Sequence, residues 1–177
     1  MIASLRGRLR AKLEDRVILE AAGVGYEVYL PPVTQRALVR ASAGNGDGGD
    51  EVALAVHYHA TQNQPRPVLI GFTSDLDKEF FEKLITVKDI GPMVAARALA
   101  MPVGELAAAI ARQDEKFLRG LPGVGPQKAK NIVAQLQAKV AKFALARGEA
   151  TSPEPAAVVA PDEEALRGMV FDILVKQ

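Results

Sequence analysis

The chain has 177 residues, an apolar fraction of 49%, a mean hydropathy of +0.06 and a formal net charge of +1. This length suits one domain or two small ones with an ample core, and the absence of cysteine excludes disulfides and thiolate metal sites. No apolar run is long enough for a membrane span, and the N-terminus becomes charged too early for a signal peptide, so we expect a cytoplasmic protein.

Residues 1–72 are predicted to form five short strands, because apolar and polar side chains alternate with the period of a half-buried strand. A short helix is predicted over 34–40, a flexible loop over 42–50 and the last strand over 67–72. Five strands in about 70 residues favour a small barrel, for which the OB-fold is the natural candidate.

Two polar patterns on these strands have alternative interpretations. His57 and His59 share one face of a strand, and a His-x-His pair can begin a metal site. No acidic or cysteine partner lies nearby in sequence, so sheet surface is the favoured interpretation and no metal or cofactor is expected. Three arginines of the first strand either contact phosphates or keep its outer face soluble: Arg6, Arg8 and Arg10.

Residues 73–148 are predicted to be helical. Ser74 and Asp114 are placed to cap the helices that follow them. A long final helix is predicted over 126–147, with an apolar stripe at helical spacing.

The C-terminal part has a different composition. Residues 149–161 are rich in proline and alanine and are predicted to be a linker. Residues 162–177 are predicted to form one amphipathic helix, too short for a core of its own and therefore in need of a partner. The residues on its apolar face are the candidate partner contacts: Leu166, Met169, Val170, Ile173 and Leu174.

The turn at residues 120–126, which we name the second hairpin, has the features of a phosphate site. Gly123 and Gly125 permit unusual dihedral angles and close backbone approach, and Pro126 suits the first position of a helix. The free N–H groups at a helix start attract anions. Residues 116–148 contain no Asp or Glu but several Lys and Arg, which favours a phosphate-binding face over an ordinary solvated one.

A similar unit lies 34 residues upstream, at residues 86–92, which we name the first hairpin. Gly91-Pro92 aligns with Gly125-Pro126 without a gap, as expected for a duplicated supersecondary element. Two anion sites at a fixed distance can follow a nucleic-acid backbone, so we favour DNA-backbone binding over a purely structural unit.

In their combined order, the motifs of residues 1–148 resemble the RuvA family of Holliday-junction DNA-binding subunits. They are the start Met1–Gly7, the strand entry at 23–28, the strand exit at 69–72 and the two hairpins. The resemblance implies an α+β multidomain protein: an OB-fold barrel at 1–72, an all-α domain with two helix-hairpin-helix motifs at 73–148, and a C-terminal segment.

The resemblance also implies function and partners. It implies a non-catalytic subunit that forms a homotetramer, or a paired octamer, and holds a four-way junction open. The implied partners are the hexameric ATPase RuvB and, as a second one, the resolvase RuvC.

Site residues follow from the same resemblance. The expected contacts with the DNA backbone are Lys88, Ile90, Gly91, Met93, Arg119, Gly123, Val124, Gly125, Gln127, Lys128 and Lys130. The candidate pin residues at the junction centre are Thr61, Gln62, Asn63 and Arg66.

The chain departs from the family pattern at several of these places. At the first hairpin, Asp89 stands where glycine is usual and Met93 where lysine is usual, so we expect this hairpin to bind weakly unless Lys88 compensates. At the second hairpin, Gln127 stands where lysine is common, and Lys128 follows one place later. The stretch at 59–67 has no Asp or Glu, although the family carries an acidic pin there. The tail at 162–177 is shorter than the family's three-helix ATPase-binding domain.

Rival functions were weighed on the same residues. A helix-hairpin-helix glycosylase needs a catalytic Asp beyond the hairpin, and none occurs from 116 to 161. A nuclease needs carboxylates at metal-binding spacing, which are also missing. A DNA-backbone-binding scaffold without junction selectivity stays open as the alternative.

Overall fold

The structure is a computed structural model that describes residues 1–42, 51–61 and 64–145. Most of the predicted loop at 42–50, the pin candidates Gln62 and Asn63, the linker and the C-terminal helix with its partner contacts lie outside the described residues.

The N-terminal part is a closed five-stranded barrel, as predicted. The strands are β1 (Ser4–Lys12), β2 (Arg16–Ala21), β3 (Val24–Tyr29), β4 (Glu51–Thr61) and β5 (Gln64–Phe72). They follow the order β1-β2-β3-β5-β4 around the barrel. Neighbouring strands are antiparallel except β3 and β5, which are parallel and close the barrel.

The alternation along β1 explains which face turns inward. Leu5 and Gly7 are buried, whereas the intervening arginines are exposed. A Cβ at Gly7 would lie 2.3 Å from the carbonyl oxygen of Glu20 on β2, so only glycine permits this close strand approach. The strands thereby enclose an apolar interior that includes Leu19, Val28 and Leu54.

Strand β5 begins earlier than predicted. It starts at Gln64 rather than residue 67, so it includes Pro65 as well as Pro67. Its first half pairs only with β4, and the pairing with β3 begins at Leu69. Proline lacks the N–H that an inner strand would need, but an edge tolerates it.

Seven helices and one 3₁₀ turn complete the described chain. They are α1 (Pro32–Ser42), α2 (Asp75–Leu84), α3 (Pro92–Ala98), α4 (Val103–Ala111), α5 (Glu115–Arg119), α6 (Pro126–Leu136), the 3₁₀ turn Gln137–Lys139 and α7 (Ala141–Leu145). Both predicted caps are confirmed: the Ser74 hydroxyl accepts from Asp77 N–H at 3.1 Å, and an Asp114 carboxylate oxygen accepts from Phe117 N–H at 3.0 Å.

The prediction of one long final helix was wrong. After Leu136 the chain passes through the 3₁₀ turn and resumes as α7, which packs along α4. The break lets Val140 and Phe143 both become fully buried, and Phe143 meets Phe80 of α2 with ring centroids 5.2 Å apart. Burial of these side chains outweighs continuity of the helical hydrogen bonds, since burying a large apolar side chain contributes about 1.5–3 kcal/mol.

The barrel and the helices pack against each other directly. Ile70 and Phe72 at the end of β5 belong to the apolar cluster of the helices, and the Phe72 ring lies 5.1 Å from that of Phe81. At the start of α1, Val33 N–H donates to the carbonyl of Leu99 at 3.1 Å. The hairpins are therefore carried on a scaffold that continues into the barrel.

Across the described ranges, no single helix is long and apolar enough to cross a membrane. The bent pair α3 and α4, which meet at 98°, satisfies the criterion together by length and composition only. Most of its apolar side chains lie in the core.

Candidate nucleic-acid interface

The two hairpins have the same internal hydrogen bonds at the 34-residue offset. In the first hairpin, Val87 N–H donates to Leu84 and Ile90 N–H donates to Val87, at 3.0 and 3.1 Å. In the second, Leu121 N–H donates to Leu118 and Val124 N–H donates to Leu121, at 3.1 and 3.0 Å. These pairs confirm the duplication inferred from sequence.

The backbone angles of the two turns also agree. Gly91 and Gly125, which precede the prolines, have φ of −84° and −87° in extended conformations. Two residues earlier, Asp89 and Gly123 both have positive φ, at 66° and 78°. Aspartate is one of the few non-glycine residues that tolerate this left-handed region, so the first turn keeps its shape without glycine.

Two of the predicted contact residues lie inside the hairpins. The side chains of Ile90 and Val124 are buried, and their N–H groups are used within the turns. Ile90 and Val124 therefore hold each turn in place from the core side and leave the outer face to the flanking glycines.

The outer face of each hairpin is open to an anion. A Cβ built at Gly91 or Gly125 would meet nothing within 4 Å. Within the described residues, the N–H groups of Gly125, Gln127 and Lys128 have no backbone acceptor, as is general for the first turn of a helix. At the second hairpin, an approaching phosphate oxygen therefore finds N–H donors and no side chain in its way.

The cations are concentrated on the second hairpin. The Lys128 ammonium donates to the carbonyl of Gly123 at 3.0 Å, which places its charge on the turn. Arg119 and Lys130 are exposed on either side of it, and the Gln127 amide donates to Asn131 at 3.1 Å. The second hairpin thus combines free N–H groups with positive charge.

The first hairpin has a different charge pattern. Lys88 and Asp89 are both exposed and of opposite sign, while Met93 is half-buried and neutral. The formal charge of residues 85–96 is therefore zero, whereas that of the equivalent residues 119–130 around the second hairpin is +3.

Asn131 connects the hairpins, and sequence reasoning missed it. Its amide nitrogen lies 3.4 Å from the Lys88 carbonyl oxygen, and its amide oxygen accepts from Gln127. A Cβ at Gly123 would lie 3.5 Å from Val94 of α3, so the turns are also in apolar proximity. The only sequence signal was the position of Asn131 one helical turn after Gln127.

The hairpin between β4 and β5 projects past the barrel wall. Strand β4 pairs with β1 only over residues 51–55, whereas its later part pairs with β5 up to Thr61 and Gln64. Thr61 and Arg66, the two pin candidates with described side chains, are exposed near its end. The structure therefore places both on a projecting ribbon.

His57 and His59 are only partly exposed, although the sequence favoured an exposed position on the sheet surface for both. The His57 side chain is only 16% exposed, packs on Phe81 at 5.1 Å between ring centroids, and has Nδ1 3.3 Å from a Glu82 carboxylate oxygen. His57 therefore links the barrel to α2. The residues that the structure describes contain no group of three or more His, Asp or Glu able to hold a metal ion.

One arginine on the outer face of β1 has a protein partner. Arg10 is hydrogen-bonded to Glu20 of β2, and this contact lowers the pKa of the Glu20 carboxyl. Arg6 and Arg8 are exposed, which agrees both with contact to phosphates and with a role in keeping the outer face of β1 soluble.

Known families match both parts of the chain. A model described as the RuvA N terminal domain matches residues 1–66, and one described as a SAM-like helix-hairpin-helix tandem matches residues 81–138.

Three relatives are each named Holliday junction branch migration complex subunit RuvA. The protein from Desulfatibacillum aliphaticivorans is 45% identical over 100% of this chain and 81% of its own length, and that from Desulfosudis oleivorans is 40% identical over the same shares. The protein from Geobacter sulfurreducens is 38% identical over 92% of this chain and 78% of its own length. With the barrel and the tandem hairpins in the order that these matches describe, the chain belongs to the RuvA family.

Proposed function

We propose that this protein binds four-way DNA junctions independently of sequence, as the non-catalytic DNA-binding subunit of a branch migration complex. The observation that carries the proposal is the pair of hairpins with matching backbone geometry, joined to a barrel in a chain of the RuvA family. Its proposed place of action is the cytoplasm, where bacterial DNA lies.

The chemistry suits a structure-selective binder. Backbone N–H groups and lysine or arginine contacts with phosphates position DNA but carry no sequence information. A junction-binding subunit must act at any sequence, so its selectivity has to come from the spatial arrangement of several backbone contacts.

Assembly supplies that arrangement. We infer a homotetramer, alone or paired into an octamer, in which each arm of the junction meets hairpins from more than one subunit. Closed symmetry and several weak contacts acting together give high avidity without base contacts. The projecting ribbon with Thr61 and Arg66, together with Gln62 and Asn63, is the proposed element at the junction centre.

Partners and domains follow the same proposal. The barrel domain at 1–72 and the hairpin domain at 73–148 would hold DNA, while the linker at 149–161 leads to the segment at 162–177. We propose that this segment contacts the RuvB ATPase through its apolar face, with RuvC as a second partner.

The alternative function, backbone binding without junction selectivity, draws support from the first hairpin. Because Lys88 and Asp89 cancel in charge, the second hairpin is the main cationic contact. One strong contact per chain would suit linear duplex DNA as well as a four-way junction.

Substitution of the open glycines tests the hairpin basis of this function. Gly125→Val places a side chain in the open space in front of the second hairpin, at a φ that valine adopts without strain. We expect junction affinity to fall about tenfold or more in a fluorescence anisotropy titration, equally for junctions of different sequence. Ala111→Val, at the exposed end of α4, is the matched control and should bind as wild type.

Gly91→Val makes the same change on the first hairpin and should reduce affinity by a smaller factor. Thermal unfolding of each variant checks that the fold is retained. Wild-type affinity in a folded Gly125→Val variant would contradict the hairpin basis of the proposal.

A further inference from the structure

We propose that Asp89 makes the two hairpins bind DNA unequally. The second hairpin anchors the DNA, while electrostatic repulsion between the Asp89 carboxylate and the phosphates weakens the contact of the first hairpin. This inference rests on the proposed function, because it assigns a role to one residue of the same interface.

The two hairpins are equal in shape. Asp89 and Gly123 occupy equivalent positions with φ of 66° and 78°, and the two hydrogen bonds that close each turn join equivalent residues at the 34-residue offset. The helices that follow both begin with glycine and proline in the same conformations. Aspartate at this position therefore leaves the turn ready for a phosphate and changes the charge in front of it.

The charge of Asp89 faces outward and is not neutralised by a bonded partner. Its side chain is exposed, and among the described residues it forms no ion pair or hydrogen bond. Lys88 is adjacent in sequence and Met93 opens the next helix without a charge, so Lys88 only offsets Asp89.

At the second hairpin the corresponding position is a glycine without a side chain. Lys128 lies on that turn, and Arg119 and Lys130 flank it. A like charge a few ångströms from a phosphate at a protein surface weakens the contact by roughly five- to tenfold. The expected order of strength is therefore second hairpin above first.

Asp89→Asn separates charge from conformation, because asparagine also tolerates positive φ. We expect the variant to bind a four-way junction about fivefold more tightly at low salt, with the gain shrinking as salt screens the charge. Glu14→Gln is the matched control, since Glu14 is an exposed acid on the β1–β2 turn of the barrel and its loss changes the net charge equally. Its affinity should stay at the wild-type value.

The reciprocal change moves the acid to the second hairpin. Gly123 has φ of 78° and only Val94 near its Cβ position, at 3.5 Å, so an aspartate can be accommodated. Gly123→Asp should weaken junction binding about tenfold, and Gly123→Asn should weaken it less.

The outcomes distinguish this inference from the proposed function. If Gly123→Asp weakens binding but Asp89→Asn binds as wild type, Asp89 does not attenuate the first hairpin and the inference is wrong. An equal gain in Glu14→Gln also overturns it, since net charge alone would then explain the effect. If Gly123→Asp also binds as wild type, neither hairpin contacts DNA and the hairpin basis of the proposed function fails.

Discussion

At the scale of single residues, the proposed interface depends on which side chains lie in front of two short turns. Gly125 and Gly91 matter because they have no side chain in the path of an anion. Gly123 matters for a different reason, since its φ of 78° lies in a region that most residues avoid. A residue that avoids positive φ would strain the turn at Gly123, whereas a side chain at Gly91 or Gly125 would block the open face of its hairpin.

Lys128 is the cation closest to the second turn, and its charge should be measurable as a salt effect. Each phosphate contact contributes about 0.9 to the slope of log affinity against log salt concentration. Lys128→Ala should therefore lower the slope by about one unit.

Lys128 also donates to the Gly123 carbonyl, so two further variants separate charge from support of the turn. Lys128→Gln keeps a donor and should show the same loss of slope, whereas Lys139→Ala, exposed after α6, should keep the wild-type slope. An unchanged slope in both Lys128 variants would place this residue off the interface.

At the scale of elements, the second hairpin depends on a very short helix. Helix α5 has five residues, too few to be stable alone. It is held by the Asp114 cap at its start and by Leu118, which is buried in the core. The position of the second turn therefore depends on this cap and on the burial of Leu118.

Removal of this cap should loosen the hairpin. Asp114→Ala should reduce the free energy of unfolding by about 1 kcal/mol, which corresponds to a midpoint lower by about 2–4 °C. Junction affinity should fall modestly in the same variant, because α5 carries the second turn.

Asp114→Ser is the comparison for that experiment, since serine also caps helices and should retain most of the stability. Equal unfolding midpoints for wild type and Asp114→Ala in calorimetry would show that core packing alone fixes α5.

The sequence predicted a helix boundary correctly where a single residue determines it. The caps at Ser74 and Asp114 and the prolines at 92 and 126 each fix a helix start through a local bond or a fixed dihedral angle. The end of α6 was mispredicted because tertiary burial of Phe143 against Phe80 decides it. No local pattern contains that contact.

At the scale of the whole molecule, the hairpins, the helical core and the barrel are connected by specific contacts. Phe72 brings the last strand into the core of the helices, and His57 meets Glu82 of α2. Asn131 links the second helix-hairpin unit to the first turn. The spacing between the two hairpins is therefore set by the fold.

The sequence predicted that the two hairpins are copies of one unit, because the duplication is local and gapless. It could not show that Asp89 keeps the left-handed geometry of a glycine, that Ile90 and Val124 face inward, or that Asn131 joins the hairpins. Each of these depends on a dihedral angle or on a contact between segments far apart in sequence.

The most direct measurement of the central claim is a competition assay at moderate salt. It sets an immobile four-way junction against linear duplex of the same arm length, with molecular mass measured on the same sample. We predict strong preference for the junction, together with the mass of a tetramer or octamer. Equal affinity for both DNAs by a monomer would contradict the account, and only backbone binding by the hairpins would remain.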